Sequence, residues 1–281
     1  MKQLLRVYLC SPILCCLLFL ALLGGCRSSQ QYIMLARDGA SSSGAVAAIA
    51  DRANAIRIES SSYFLLQQRH ELSKKYKDQP LKKELRALLR QSNLSDRNAL
   101  DNNRYTKEVA TSLQSYFIAL QELAASNAPA DIGAKTGDII AKIDDLLQAK
   151  NLAPFSFPSS IAPIAVTYIS DRDLRKELIS RKGSILKALM TLDALLSTLS
   201  QDIDAHAMSI RNARLAMLIQ PSYLETTSAS LTTLSDKELW VNLRQRDLLG
   251  STTENEDKRN IAEAQKSSRK FRELFMKMTA E

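Results

Sequence analysis

The feature that most constrains this chain lies in its second half, where Ile185, Leu189, Leu192, Leu196, Leu199, Ile203, His206, Ile210, Ala213 and Met217 alternate steps of four and three without a slip. A strand repeats every two residues, so only an α-helix gathers these positions on one face. With Leu174 and Leu178 before it and Pro221 after it, the stripe predicts one helix of about 45 residues, about 65–70 Å long at 1.5 Å per residue. Such a helix must be covered along its whole apolar face. Leu186, Met190 and Leu195 widen the seam beyond that of a simple dimer, which favours partners within the chain.

Composition supports the same conclusion. In 281 residues there are only 8 Gly and 7 Pro, too little material for the frequent tight turns of an all-β sandwich or barrel. Other helical stripes are present. Val46, Ile49, Ala53, Ile56, Ser60 and Tyr63 predict a helix from Ala45 toward Lys75. Leu81, Leu85, Leu88 and Leu89 share a face after Pro80, and Val109, Leu113, Tyr116, Leu120 and Leu123 form a further stripe after Ser95. Thr136 can cap a helix carrying Ile139, Ile143, Leu146 and Leu147. Two capping boxes, Ser235 to Glu238 and Thr253 to Glu256, open a short helix closed by Gly250 and a last helix with Ile261, Ala264, Ser268, Phe271, Phe275 and Met278 in line. Pro154, Pro158 and Pro163 break residues 152–163 into an extended crossing. The expected fold is all-α: an elongated bundle of long antiparallel helices over residues 45–281.

The N-terminus addresses location. Lys2 and Arg6 precede an apolar run from Val7 to Leu23, the layout of a secretory leader. Its end, Leu23-Gly24-Gly25-Cys26, resembles the lipobox of bacterial lipoproteins. That resemblance covers only the targeting segment. It implies a signal peptide over residues 1–25, cleavage between Gly25 and Cys26, a diacylglyceryl thioether on Cys26 and acylation of the new N-terminus, by palmitate or a similar chain. Two or more acyl chains suffice for stable anchoring without a spanning helix. Arg27, where enteric bacteria use Asp to retain a lipoprotein at the inner membrane, points to the outer membrane; in a single-membrane cell the same signal implies the outer face of the plasma membrane. Residues 26–44, polar and ending Gly39-Ala-Ser-Ser-Ser-Gly44, read as the lipidated cysteine and a flexible tether.

Little chemistry is nominated beyond this. The other three cysteines stand at or before position 16, so no disulfide framework is expected in the processed chain, and His70 and His206 are too few for the usual metal ligand sets. No cofactor, metal or catalytic residue is expected. Gly133 to Gly137 lacks the glycines of a phosphate loop, since Pro129 and Ala134 stand where they belong, and it reads as a helix connection. His206 on the long stripe reads as a histidine reaching Asp202 or a facing helix.

Without Lys2 and Arg6 the chain carries 36 basic against 30 acidic residues, and the excess is concentrated. Lys74, Lys75, Lys77, Lys82, Lys83 and Arg86, with Arg69 and Arg90 beside them, face only Glu71, Asp78 and Glu84. They are the candidate contact for an anionic surface or an acidic partner. Export disfavours nucleic acid. The expectation is a non-catalytic scaffold or adaptor lipoprotein of the envelope or periplasm, held to the membrane by its lipid, with a protein partner and with homo-oligomerisation open. A carboxylate hydrolase and a membrane-active helical protein are the alternatives.

Overall fold

A computed structural model describes residues 5–125, 129–149, 171–224 and 234–280, with side chains described from Gln30 onward except at 125, 129–132, 171–173, 222, 234–236, 246–247 and 249–255. The described residues are helical apart from the turn between the first two helices and the last residues of the chain, and they contain no strand. The all-α bundle expected from the stripes is present. Its helices are α1 (Leu5–Lys75), α2 (Asp78–Ala125), α3 (Pro129–Ala149), α4 (Asp171–Arg214), a π-helical turn at Leu215–Ile219, α5 (Gln220–Leu224) and α6 (Leu234–Met278). Contacts divide the chain into two units.

The first unit comprises Met1–Gly44, Thr111–Leu189 and Lys270–Glu281. Its core sets Tyr116, Phe117 and Leu120 of α2 with Leu35 of α1, Ile143 and Leu147 of α3, Leu174, Leu178 and Ile185 of α4, and Phe271 and Phe275 of α6. Phe117 meets Phe271 edge-on at 5.0 Å between ring centroids, the geometry that brings a positive ring edge to a negative face. Cations of α4 close the end of α6: Lys182 Nζ donates to Thr279 O at 2.9 Å and Arg175 Nη2 to Ala280 O at 3.4 Å. These carbonyls have no helical partner of their own.

The second unit comprises Ala45–Ala110 and Met190–Arg269. Lys107 pairs with Asp51, Asn103 with Asn54, and Asp96 with Arg57, so α1 and α2 run antiparallel. Arg52 binds Asp257 of α6 through both carboxylate oxygens, Nε donating to Oδ1 and Nη2 to Oδ2. Along α4 the long stripe is buried from Leu192 through Leu196, Leu199 and Ile203 to Ile210 and Ala213.

Several boundaries differ from the sequence reading. Residues 26–44 are not a flexible tether, and the helical domain does not begin at Ala45, because α1 runs through them with Leu35, Ala36, Ala40, Ser42 and Ser43 buried. At Gly39, one of the small residues that imitate a linker, aromatic rings press on the helix: a Cβ there would stand 2.6 Å from Phe117 Cδ2 and 2.7 Å from Phe271 Cζ. The two helices expected around Pro80 and Ser95 are one, α2. Helix α3 starts at Pro129, whose fixed φ suits a first turn, so Gly133 to Gly137 is helix, not connection, and Thr136 is an interior residue bonded to Gly133 O. Gly250 does not close a helix, since α6 passes through it. Pro221 does not end the long helix either. A proline ring collides with the carbonyl four residues back in a regular α-helix; here the preceding turn is widened, with Gln220 N–H on Leu215 O, and the chain continues helically to Leu224. The proline crossing at 152–163 lies outside the described residues.

Candidate functional site

The basic stretch is gathered by a tight helical hairpin. Helix α1 ends at Lys75, with Tyr76 N–H still bonded to Leu72 O at 2.8 Å. Asp78 takes a left-handed backbone, φ 54°, a conformation that short polar side chains tolerate better than branched ones. The chain then re-enters a helix, with the Asp78 carboxylate in the positive first turn of α2 and Pro80 within it. Lys74, Lys75, Lys77, Lys82, Lys83 and Arg86 thus come together about one turn, all exposed. Lys74 pairs with Glu71 at 3.1 Å with both side chains exposed, a bond of small value there, and Lys75 lies over the Tyr76 ring at 5.2 Å.

The same hairpin carries a second feature. Between α1 and α2 runs a groove of about 810 Å³ whose apolar wall is six leucines, Leu65 and Leu66 from α1 and Leu81, Leu85, Leu88 and Leu89 from α2. Arg69 and Lys82 line it as well, with Asp78 the one acid among its lining residues. Leu66 is 49% and Leu89 48% exposed. Deeper in this unit the same two helices bury their apolar faces, at Ala53 and Ile56 on α1 and at Val109 on α2. The spacing of Leu81, Leu85, Leu88 and Leu89 reads correctly as a helix face; that no other described residue covers this face, and that it coincides with the basic stretch, follows only from the fold.

His206 does reach a facing helix. Its Nδ1 lies 3.1 Å from Ser60 Oγ and its Nε2 3.2 Å from Arg57 Nη1, and Arg57 Nε also holds Asp96 at 2.8 Å. A guanidinium can only donate, so Nε2 accepts and Nδ1–H points to Ser60. Burial and the Arg57 charge lower the His206 pKa, with Asp202 and Asp96 opposing. The imidazole therefore has no free lone pair for the Ser60 hydroxyl, and it stands as a neutral ring between α1 and α4, held by Ser60 on one side and the charged Arg57 on the other.

Cys26 and Gly25 fall within the α1 backbone. From Gln30 onward, no helix among the described residues is long and apolar enough to cross a membrane. No group of three or more His, Cys, Asp or Glu among the described residues is placed to hold a metal ion. One exposed cluster escapes the sequence reading: Tyr223 stacks on Trp240 at 5.7 Å, Trp240 Nε1 donates to Ile219 O, and Arg244 lies 5.9 Å from the indole centroid. It depends on the continuation of the helix past Pro221, which no local pattern signals. Compared with protein-family models, curated proteins and solved structures, the chain matches none.

Proposed function

We propose that this chain is a lipid-anchored bacterial envelope lipoprotein acting as a non-catalytic binding component, a scaffold or adaptor. The anchor rests on the apolar leader and the Leu23-Gly24-Gly25-Cys26 segment; Arg27 favours the outer membrane. The adaptor role is carried by one observation, the leucine groove at the α1–α2 hairpin that no other described residue fills. Half-exposed leucines gathered in one charge-rimmed groove supply apolar surface that a partner's side chains would cover.

The test follows the lipid and the partners together. Cells fed labelled palmitate should label the wild-type protein and not Cys26→Ala, and the variant should leave the membrane pellet. Gently solubilised wild-type protein should retain specific envelope proteins that the variant loses. Unlabelled, soluble wild-type protein would overturn the anchor; a labelled protein that retains nothing would overturn the adaptor role and return attention to the hydrolase alternative.

A further inference from the structure

We infer that the groove between the ends of α1 and α2 takes one amphipathic helix with acidic flanks, contributed by a different protein. This rests on the adaptor role and is independent of the lipid anchor. Shape is the first argument. Leu81, Leu85, Leu88 and Leu89 repeat at i, i+4, i+7 and i+8 along about 12 Å of helix, and Leu65 and Leu66 face them across the groove. Two antiparallel helices with such stripes form sockets for the side chains of a third.

Charge selects among occupants. Arg69 and Lys82 flank the leucines, Lys83 and Arg86 follow on the same helix, and Asp78 is the single acid in the lining. A second copy presenting the same groove would set like charges against each other, which disfavours self-pairing. An anionic bilayer would meet the basic rim before the leucines, which line a concavity and do not project from a convex tip. A helix with leucines along one face and Glu or Asp beside them meets both features at once.

The probe is a stapled, fluorescent 16-residue peptide with Leu at i, i+4, i+7 and i+11 and Glu on both flanks, set against a twin with Lys for each Glu. Both are titrated by anisotropy onto the full chain held in neutral phosphatidylcholine vesicles. The Glu peptide should bind at least tenfold tighter than its twin. Leu66→Asp and Leu89→Asp should each weaken it at least tenfold while unfolding at the wild-type temperature, since both leucines are half exposed. Arg69→Glu with Lys82→Glu should reverse the preference. Equal binding of the two peptides, indifference to the leucine substitutions or no binding would overturn the inference. So would clustering of phosphatidylglycerol vesicles by wild-type protein that Leu89→Asp abolishes, because the groove would then be a lipid contact. Palmitate labelling and co-purification read the anchor and the adaptor role separately.

Discussion

At the scale of single residues, two glycines on α1 show how local packing decides the sign of one substitution. Replacing a helical glycine by alanine gains about 1 kcal/mol of propensity where there is room. At Gly44 a new Cβ meets only the end of the Gln114 side chain, at 2.7 Å, and a flexible amide can swing aside. Gly44→Ala should therefore stabilise the protein by about 0.5–1 kcal/mol. At Gly39 the obstacles are the buried rings of Phe117 and Phe271, and overpacking costs about 1–3 kcal/mol. Gly39→Ala should lower stability or at best leave it unchanged, and urea unfolding of both variants side by side separates the two environments. Tyr116 supplies a second case. It is fully buried, its hydroxyl has no hydrogen-bond partner among the described residues, and its pKa is pushed well above 10 by burial and the nearby Glu177, with Arg181 opposing. An orphaned buried hydroxyl costs about 1–3 kcal/mol of desolvation. Tyr116→Phe keeps the edge contact with Phe117 and should unfold at a denaturant concentration equal to or above that of the wild type.

At the scale of elements, the α4 stripe makes the contrast between covered and uncovered positions measurable. Leu196 is completely buried, and Met190, nearly two turns earlier, is 49% exposed. Leu196→Ala should cost about 2–5 kcal/mol, whereas Met190→Ala should stay within about 0.5 kcal/mol, both read from thermal or urea unfolding. The stripe was legible because periodicity integrates over many turns and survives any single odd residue. Helix ends were less legible because they depend on one or two residues whose local preference the tertiary contacts override. Pro80 reads correctly as a helix start, since it sits in the first turn of α2 where its missing N–H costs nothing; Gly250 and Pro221 read as stops, yet Gly250 is carried through inside α6 and a π-turn precedes Pro221. The tether failed for a related reason. Gly39, Ser42, Ser43 and Gly44 have weak helical preference as a sequence, but the missing side chain of Gly39 is what lets α1 approach Phe117 and Phe271, and Ser42 and Ser43 are buried in the same stretch. Of the site, the six basic residues were legible as a charge run; the groove beside them was not, because whether another described helix covers a leucine face leaves no mark on the leucines themselves.

At the scale of the whole molecule, α1, α2, α4 and α6 each contribute a stretch to both units, and polar struts tie these helices within each unit. The His206 strut makes stability depend on pH in a defined direction. Its imidazole is held below the ordinary 6.5 by burial first and the Arg57 charge second, with Asp202 and Asp96 opposing. The unfolded chain therefore takes up a proton before the folded one as pH falls. Stability contributed by this group is complete above pH 6.5, declines as acid is added below it, and stops changing once the folded pKa is passed. Acidification also adds positive charge to a chain already at a formal +8, which destabilises any compact state by self-repulsion. That second effect is common to the wild type and a His206→Gln variant, so the difference between them isolates the histidine. Urea midpoints at pH 7.5 and 5.5 should fall further for the wild type than for His206→Gln. Equal falls would mean that Arg57 and Ser60 turn away on protonation and that the histidine titrates as it does in water.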